Sequence, residues 1–198
     1  MDVTETFCHV DDLCQLVEQF LETVPSLDNG PKRGPAPLMT ASELLTILIV
    51  FHSSRYRDFK AFYNQYVCMF MRAEFPKLLS YSGFVANIPR ALLPAWTLLV
   101  SLRGECSGIS FVDSTRLQVC RLQRASSNKV FAESAKIGKT SMGWFFGFKL
   151  HIVINDRGEL LAFDVTAGNC DDRVPMDSLM DGLFGKVYGD KGYISKAL

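Results

Sequence analysis

Two aspartates stand out because each directly follows an apolar, strand-like segment. Asp113 follows residues 109–112, and Asp190 follows residues 187–189. Carboxylates at the polar ends of two core strands suit Mg²⁺, which proteins usually hold with one or two carboxylates plus water and substrate phosphate. A pair of such ions can activate an attacking oxygen and stabilise the leaving oxygen in phosphoryl transfer. On spacing alone, a purely structural role at a strand end is the simpler explanation.

Four segments of the second half have the composition of strands and would position these aspartates. We expect the first three to form a consecutive antiparallel meander, because a tight turn is predicted at residues 155–158. The fourth should lie parallel to the first, reached through a helix over residues 172–183 that Asp171 or Asp172 caps. The predicted strands are residues 108–119, 145–154, 160–166 and 186–193.

The first half of the chain has the apolar spacing of helices. Residues 28–37 are dense in Gly and Pro, which predicts a loop after the first helix. Thr40 and Glu43 have the spacing of a capping box, so a buried helix is predicted to begin there. Further helices are predicted over residues 58–73 and 82–102, the latter bent or split at Pro89 and Pro94.

This change of character divides the chain into two predicted domains. Residues 1–105 form a helical N-terminal domain, and residues 106–198 form a domain with a mixed sheet and helices. The helical domain shows no clear helix-turn-helix signature. Arg55 and Arg57 make it a candidate for DNA contact and nothing more specific.

Basic residues concentrate just after the first aspartate. Residues 114–150 contain seven basic residues and one acidic residue, Glu133. A basic loop beside a metal site is suited to sequence-independent contact with DNA phosphates, although a merely solvated loop fits equally well. Residues 123–142 are predicted to be a mobile loop, and Trp144 is either a base-stacking residue or a hairpin residue. The candidate DNA contacts are Arg116, Arg121, Arg124, Lys149 and Lys191.

Composition sets limits on the function. The chain has 198 residues, 48% of them hydrophobic, and its 21 basic and 21 acidic residues cancel. A zero net charge removes the argument for nucleic-acid binding from a strongly basic chain, but it leaves local basic surfaces open. The six cysteines form no C-x-x-C pair, the N-terminus is acidic, and the apolar runs are shorter than a membrane span. These features predict a cytoplasmic protein without a membrane segment.

Four short motifs occur in a fixed order within the predicted strands and turns. Together they resemble the catalytic domain of bacterial insertion-sequence DDE transposases, of the broad group that includes the nine-eight-two-type elements. The resemblance extends from residue 108 to residue 198, and the helical first half has a similar layout. The motifs are FVDST at 111–115, GFKLH at 147–151, TAGN at 166–169 and YGDKGY at 188–193.

The resemblance implies a partial ribonuclease-H-like fold in which Asp113 and Asp190 are the first and second metal-binding acids. It implies Mg²⁺ or Mn²⁺ as the cofactor and DNA, as element ends and target, as the partner. It leaves a homo-oligomer open. The reaction would be hydrolysis of a DNA phosphodiester followed by attack of the freed 3′-hydroxyl on target DNA.

The third acid of the family, a Glu on a later helix, is expected beyond Leu198. The resemblance therefore predicts a C-terminally truncated transposase that binds DNA weakly without cutting it. A rival hypothesis is a non-catalytic fragment that binds DNA or oligomerises. An unrelated metal-dependent phosphohydrolase is a weaker rival, because no further paired acid or His cluster appears in the sequence.

Overall fold

The computed structural model describes residues 2–23, 37–190 and Tyr193. The chain divides into two compact units, Met1–Ser101 and Leu102–Leu198. Most of the predicted loop at residues 28–37 lies outside the described residues. All six cysteines are free thiols.

The first unit, here called the helical unit, contains six α-helices and two irregular helical segments among its described residues. A π-helical segment, Tyr63–Val67, joins two short α-helices, and a 3₁₀ segment, Ile88–Ala91, joins the last two. The helices are α1 (Val3–Thr23), α2 (Ala41–Ser53), α3 (Phe59–Phe62), α4 (Cys68–Phe70), α5 (Tyr81–Asn87) and α6 (Leu92–Ser101).

The predicted capping box at the start of α2 is confirmed. The Thr40 hydroxyl accepts a hydrogen bond from the Glu43 N–H at 3.1 Å, and the Glu43 carboxylate accepts one from the Thr40 N–H at 2.7 Å. These two bonds satisfy backbone donors that no helical carbonyl reaches.

The two prolines predicted to disturb the last helix have different effects. Pro89 lies in the 3₁₀ segment between α5 and α6, so the predicted split occurs there. Pro94 lies in the first turn of α6, where a missing N–H costs no helical hydrogen bond. The stretch Tyr81–Ser101 is long and apolar enough to cross a membrane by length and composition, which is weak evidence for a span. Phe84 and Ala91 within it are buried in the core of the helical unit.

That core is apolar and rich in aromatic rings. Phe62, Tyr63 and Phe84 are fully buried, and the rings of Tyr63 and Phe84 are 4.9 Å apart. The Tyr63 hydroxyl donates a hydrogen bond to the Leu79 carbonyl at 2.7 Å. Burial raises the pKa of Tyr63 to about 12, so this hydroxyl stays protonated as a donor. Aromatic burial of this kind dominates the stability of a small helical core.

The second unit, here called the sheet unit, is built on one mixed five-stranded sheet. Its strands are β1 (Ile109–Cys120), β2 (Lys136–Thr140), β3 (Gly143–Asn155), β4 (Leu160–Ala167) and β5 (Lys186–Gly189), and one short helix, α7 (Met176–Leu179), precedes β5.

The sheet has the topology predicted from the sequence. Strand β3 pairs antiparallel with β1 on one edge and with β4 on the other, and β5 pairs parallel with β1. The predicted meander and the parallel fourth strand are both confirmed. Strand β2 also pairs with β3, along the residues that β4 does not reach.

Two sequence-based expectations for this unit are wrong. Residues 123–142 do not form a single loop, because they include strand β2 and part of a 3₁₀ segment, Leu122–Ser127. Neither Asp171 nor Asp172 caps the helix before β5, which begins at Met176 with Pro175 as its N-terminal flanking residue. Both aspartates instead form ion pairs, Asp171 with Arg173 and Asp172 with Lys149.

Candidate metal and DNA site

Asp113 and Asp190 occupy neighbouring positions along two adjacent parallel strands, with Asp113 inside β1 and Asp190 directly after the end of β5. The register pairs Phe111 with Tyr188 and Val112 with Gly189, so an aspartate comes next on each strand. Both aspartates are exposed. The two strands are therefore parallel neighbours, as the sequence predicted, but β1 continues to Cys120, so Asp113 is not at a strand end as the sequence predicted.

Asp113 lies on the same face of β1 as Phe111, and Asp190 directly follows the end of β5. The rings of Phe111 and Tyr188 stack with centroids 5.6 Å apart. Because side chains alternate along a strand, residues two positions further on point to that same face. Ser110 and Val112 lie on the opposite, buried face of β1. Two exposed acidic residues thus lie at neighbouring positions of adjacent strands, where solvent and a large ligand have access.

A polar cluster fills part of the opposite, buried face. The Lys149 ammonium donates hydrogen bonds to the Cys170 carbonyl at 2.7 Å and to an Asp172 carboxylate oxygen at 2.9 Å. The Lys149 residue is only 9% exposed. A buried ammonium needs such partners, since an unpaired buried charge is costly. Lys149 thus holds the segment after β4 against the sheet.

His151 and Tyr193 form the second part of this cluster. His151 is fully buried, its Nε2 lies 2.9 Å from the Thr166 hydroxyl, and its Nδ1 lies 3.5 Å from the Tyr193 hydroxyl. Burial lowers the pKa of His151, and the positive charge of Lys149 lowers it further, against the opposing charges of Asp172 and Asp164. The imidazole is therefore neutral at neutral pH, with one nitrogen donating and the other accepting.

Tyr193 links this buried cluster to the second acid. Its backbone N–H donates to the Asp190 carbonyl at 3.0 Å, while its ring is 5% exposed and packs in the core with Val112. Burial raises the pKa of Tyr193, a hydrogen bond with Ser114 lowers it, and the charges of Asp172, Asp113 and Asp190 raise it. Tyr193 consequently ties the turn that carries Asp190 to the interior of the sheet unit.

Gly189 makes the close packing of this turn compatible with the neighbouring strand. A Cβ atom at Gly189 would lie 2.7 Å from Cγ1 of Val112 and 3.4 Å from the Tyr193 ring. A larger residue would push β5 away from β1 or displace the tyrosine. The glycine before Asp190 is therefore required by packing against β1.

The basic candidates occupy different environments. Arg116 is half-buried, whereas Arg121 and Arg124 are exposed at the end of β1 and in the 3₁₀ segment that follows. Lys149 lies on the buried face, bound to Asp172, and Lys191 lies outside the described residues. Trp144 is an exposed hairpin residue, with the Lys139 ammonium 5.6 Å from the centre of its ring.

Sequence reasoning missed the buried polar cluster that supports the site. The sequence predicted Asp171 or Asp172 as a helix cap and gave His151 no role beyond its place in the GFKLH motif. The signal was present in the motifs, since Thr166, His151 and Tyr193 each belong to one of the four. What the order of the motifs does not show is that their side chains meet, and only the folded sheet brings them together.

The donor set suits a hard divalent cation. Over the part of the chain that the structure describes, no group of three or more Asp, Glu, His or Cys side chains could hold a metal ion. Two carboxylates with open surface around them fit Mg²⁺ or Mn²⁺, which prefer oxygen ligands and retain water or bind substrate phosphate. The pair of Asp113 and Asp190 contains no thiolate or imidazole ligand of the kind that zinc sites use.

The arrangement of strands and acids defines a class of protein. Three antiparallel strands followed by a fourth that lies parallel to the first, with Asp113 inside the first strand and Asp190 directly after the fourth, form a ribonuclease-H-like mixed α/β sheet. Residues 103–198, slightly less than half of the chain, match the family described as Transposase DDE domain, which supports a DDE-type transposase. The resemblance noted in the motifs is thereby confirmed.

The other comparisons add no relative. Neither the search of curated proteins nor the search of solved structures finds a significant match to this chain.

Proposed function

We propose that the sheet unit acts in metal-dependent cleavage of DNA strands and their transfer during movement of an insertion sequence. The observation that carries this proposal is the parallel pairing of β1 with β5, in which Asp113 and Asp190 are the residues that come directly after the paired positions Val112 and Gly189. The match of residues 103–198 to the family described as Transposase DDE domain supports the same function.

Asp113 and Asp190 are the residues we assign to the metal. Bound there, Mg²⁺ or Mn²⁺ would supply charge stabilisation for the phosphate oxygens of the scissile bond. Without a cation, two neighbouring carboxylates would repel each other, and this repulsion makes the pair receptive to one. Tyr193 and Gly189 act indirectly, by holding Asp190 at the edge beside Asp113.

We assign the DNA backbone contacts to the basic residues after β1. Arg121 and Arg124 are exposed, whereas Arg116 lies inside β1 on the face of Ser114, opposite that of Asp113, and is not assigned to these contacts. Arginine binds phosphate through a planar fork of donors, so these residues suit electrostatic positioning of a strand. Lys149 supports the site from inside, through its ion pair with Asp172. We place this function in the cytoplasm, where thiols such as the six free cysteines stay reduced.

One observation favours a second candidate function. Asp113 and Asp190 are two acids, and among the described residues no third metal-ligating side chain forms a group with them. A protein with this site could bind DNA or copies of itself without cutting. In that case DNA binding would be electrostatic and would not depend on the carboxylate pair.

Metal-stimulated DNA binding separates the two candidates. Binding of the purified chain to a labelled DNA duplex is measured by fluorescence anisotropy at fixed ionic strength, with Mg²⁺, with Mn²⁺ and with EDTA. The variants are Asp113→Asn and Asp190→Asn, and Asp181→Asn serves as a matched control because Asp181 is an exposed acid of the same unit. Nicking of supercoiled plasmid is followed in parallel.

Under our proposal, divalent metal strengthens DNA binding, both site variants abolish this gain, and Asp181→Asn retains it. Nicking that disappears in Asp113→Asn would assign the complete reaction to this chain. DNA binding that is equal with metal and with EDTA, and equal in all variants, would exclude the catalytic assignment and leave the non-catalytic candidate.

A further inference from the structure

A cavity in the helical unit has the features of a nucleotide pocket. It has a volume of about 310 Å³ and lies at the end of α2, where the buried residue Val50 forms part of its lining. Its lining residues are Val50, Ser53, Ser54, Arg55, Tyr56 and Tyr66. Ligand sites span roughly 300–1,000 Å³, so this cavity suits one small planar group and is too small for a duplex.

Two tyrosines form an aromatic wall of this cavity. Tyr56 and Tyr66 are 37% and 36% exposed, and their ring centroids are 6.3 Å apart. Each packs on the buried ring of Phe62, at 5.6 Å in both cases. Because Phe62 is fixed in the core, the tyrosines present their free surfaces in defined positions. Such preorganised aromatic faces are what nucleobases stack on.

The backbone that positions Tyr66 is unusual. Tyr66 lies in the π-helical segment Tyr63–Val67, which interrupts what would otherwise be a continuous helix. π-Helical turns are rare and occur frequently at functional sites. The segment is thus a second, independent indication that this surface has a role beyond packing.

The cavity also has a positive rim. Arg55 lines it and Arg57 is two residues further along the chain, whereas the Lys60 ammonium lies over the ring of Tyr81, outside the lining residues. The neighbouring acid, Asp58, uses its carboxylate to accept a hydrogen bond from the Ala61 N–H at 2.8 Å as the N-cap of α3. Local charge therefore favours an anion beside the aromatic wall.

We propose that this cavity binds one nucleotide of single-stranded DNA, with the base against Tyr56 and Tyr66 and its phosphate on Arg55. An aromatic wall alone would suit any apolar group, and a basic rim alone would suit any anion. The two together match a base with an attached phosphate. The pocket lies wholly in the helical unit, so the proposal stands independently of the assignment of Asp113 and Asp190.

Photocrosslinking locates the site directly. The full chain is irradiated with oligo-dT containing 5-iododeoxyuridine, which crosslinks to aromatic side chains stacked on it, and the modified peptides are identified by mass spectrometry. We expect crosslinks at Tyr56 or Tyr66. Crosslinks confined to residues 103–198, with none in the helical unit, would overturn the proposal.

Affinity measurements test the two halves of the pocket. Tyr66→Leu keeps apolar packing and should weaken binding of oligo-dT by about tenfold, since stacking contributes roughly 1–3 kcal/mol per base. Arg55→Gln should weaken binding and reduce its salt dependence. Phe20→Leu and Lys77→Gln are matched controls, because both residues are exposed in the helical unit outside the cavity. Circular dichroism verifies that all variants fold.

Competition identifies the source of the nucleotide. An oligonucleotide should displace labelled oligo-dT, an abasic oligonucleotide should displace it poorly, and dTMP should require far higher concentration. Equal displacement by dTMP and the oligonucleotide would assign the cavity to a free nucleotide and contradict our proposal. Asp113→Asn should leave crosslinking at the tyrosines unchanged, which separates this test from that of the metal site.

Discussion

The two units of this protein use their interiors differently. The helical unit buries aromatic and aliphatic side chains, with Phe62, Tyr63 and Phe84 fully enclosed. The sheet unit has a smaller apolar cluster and also encloses His151 and Lys149 with their hydrogen-bond partners. An apolar core supplies stability, whereas an enclosed polar network fixes positions at some cost in desolvation. The sheet unit thus has less apolar core and instead uses buried polar contacts to hold its four sequence motifs in register with one another.

The chain provides a separate probe for each unit. Of its two tryptophans, Trp96 lies in α6 of the helical unit and Trp144 lies in β3 of the sheet unit. Trp144→Phe leaves a fluorescent reporter of the helical unit, and Trp96→Phe leaves a reporter of the sheet unit. Each prediction on stability below uses the appropriate single-tryptophan background in urea denaturation.

The largest effect is expected from the helical core. Phe84 is fully buried and its ring lies 5.4 Å from that of Phe59. Phe84→Ala should lower the free energy of unfolding reported by Trp96 by about 3–5 kcal/mol, because it leaves a cavity in a packed core. Phe20→Ala, at a 61% exposed position, should change it by less than about 0.5 kcal/mol. Similar losses in the two variants would contradict the description of an apolar core.

A smaller loss is expected from the ion pair of the sheet unit. Lys149→Met removes the partner of Asp172, whose side chain is 27% exposed. That exposure lets water solvate the remaining carboxylate. We therefore expect the free energy of unfolding reported by Trp144 to fall by about 2 kcal/mol, which is less than for a fully buried pair. The double variant Lys149→Met with Asp172→Leu should recover part of it. A double variant as unstable as the sum of its single changes would show that the pair is not coupled.

Removal of one hydroxyl should have a still smaller effect on stability. Tyr193→Phe keeps the buried ring and deletes the oxygen that contacts His151 and Ser114. The free energy of unfolding should fall by about 1 kcal/mol. Metal-stimulated DNA binding should weaken as well, because the turn that carries Asp190 is then held less firmly. Tyr188→Phe, at a 50% exposed position, is the matched control, and an equal response of both variants would refute an anchoring role for Tyr193.

The smallest effect is expected from pH. Burial lowers the pKa of His151 from its ordinary value of 6.5. The unfolded chain therefore binds a proton at higher pH than the folded unit, so this contribution to stability is complete above about pH 6.5 and declines as the pH falls toward the lowered folded value. In that pH range, His151→Gln should reduce the pH dependence of the free energy of unfolding reported by Trp144. A slope that is unchanged in the variant would exclude His151 as its source.

Much of the sheet could be predicted because local pattern and topology agree there. Apolar residues before Asp113 and Asp190 predicted strands, and a turn at residues 155–158 set the antiparallel order. Strand β2 was missed because its sequence, KIGKT, is short, charged and interrupted by Gly138. It is a strand because β3 offers it a partner edge, and a single segment does not reveal such an edge.

The supporting contacts of the site were beyond prediction for a similar reason. Lys149 and Asp172 are 23 positions apart, and His151 and Tyr193 are 42 apart. Aspartate is a residue type that commonly caps helices, but Asp172 forms an ion pair with Lys149 instead. The interruption of the predicted helix over residues 58–73 by a π segment likewise depends on how the aromatic rings pack.

The central claim is that Asp113 and Asp190 form one divalent-metal site. Electron paramagnetic resonance of free Mn²⁺ measures binding to the chain, to Asp113→Asn, to Asp190→Asn and to the double variant, with Asp181→Asn as the control. We predict that each single variant weakens Mn²⁺ binding strongly, that the double variant weakens it little further, and that the control binds normally, because two ligands of one ion are not independent. Single variants that bind Mn²⁺ as the unmodified chain does, or losses that simply add in the double variant, would contradict a shared site.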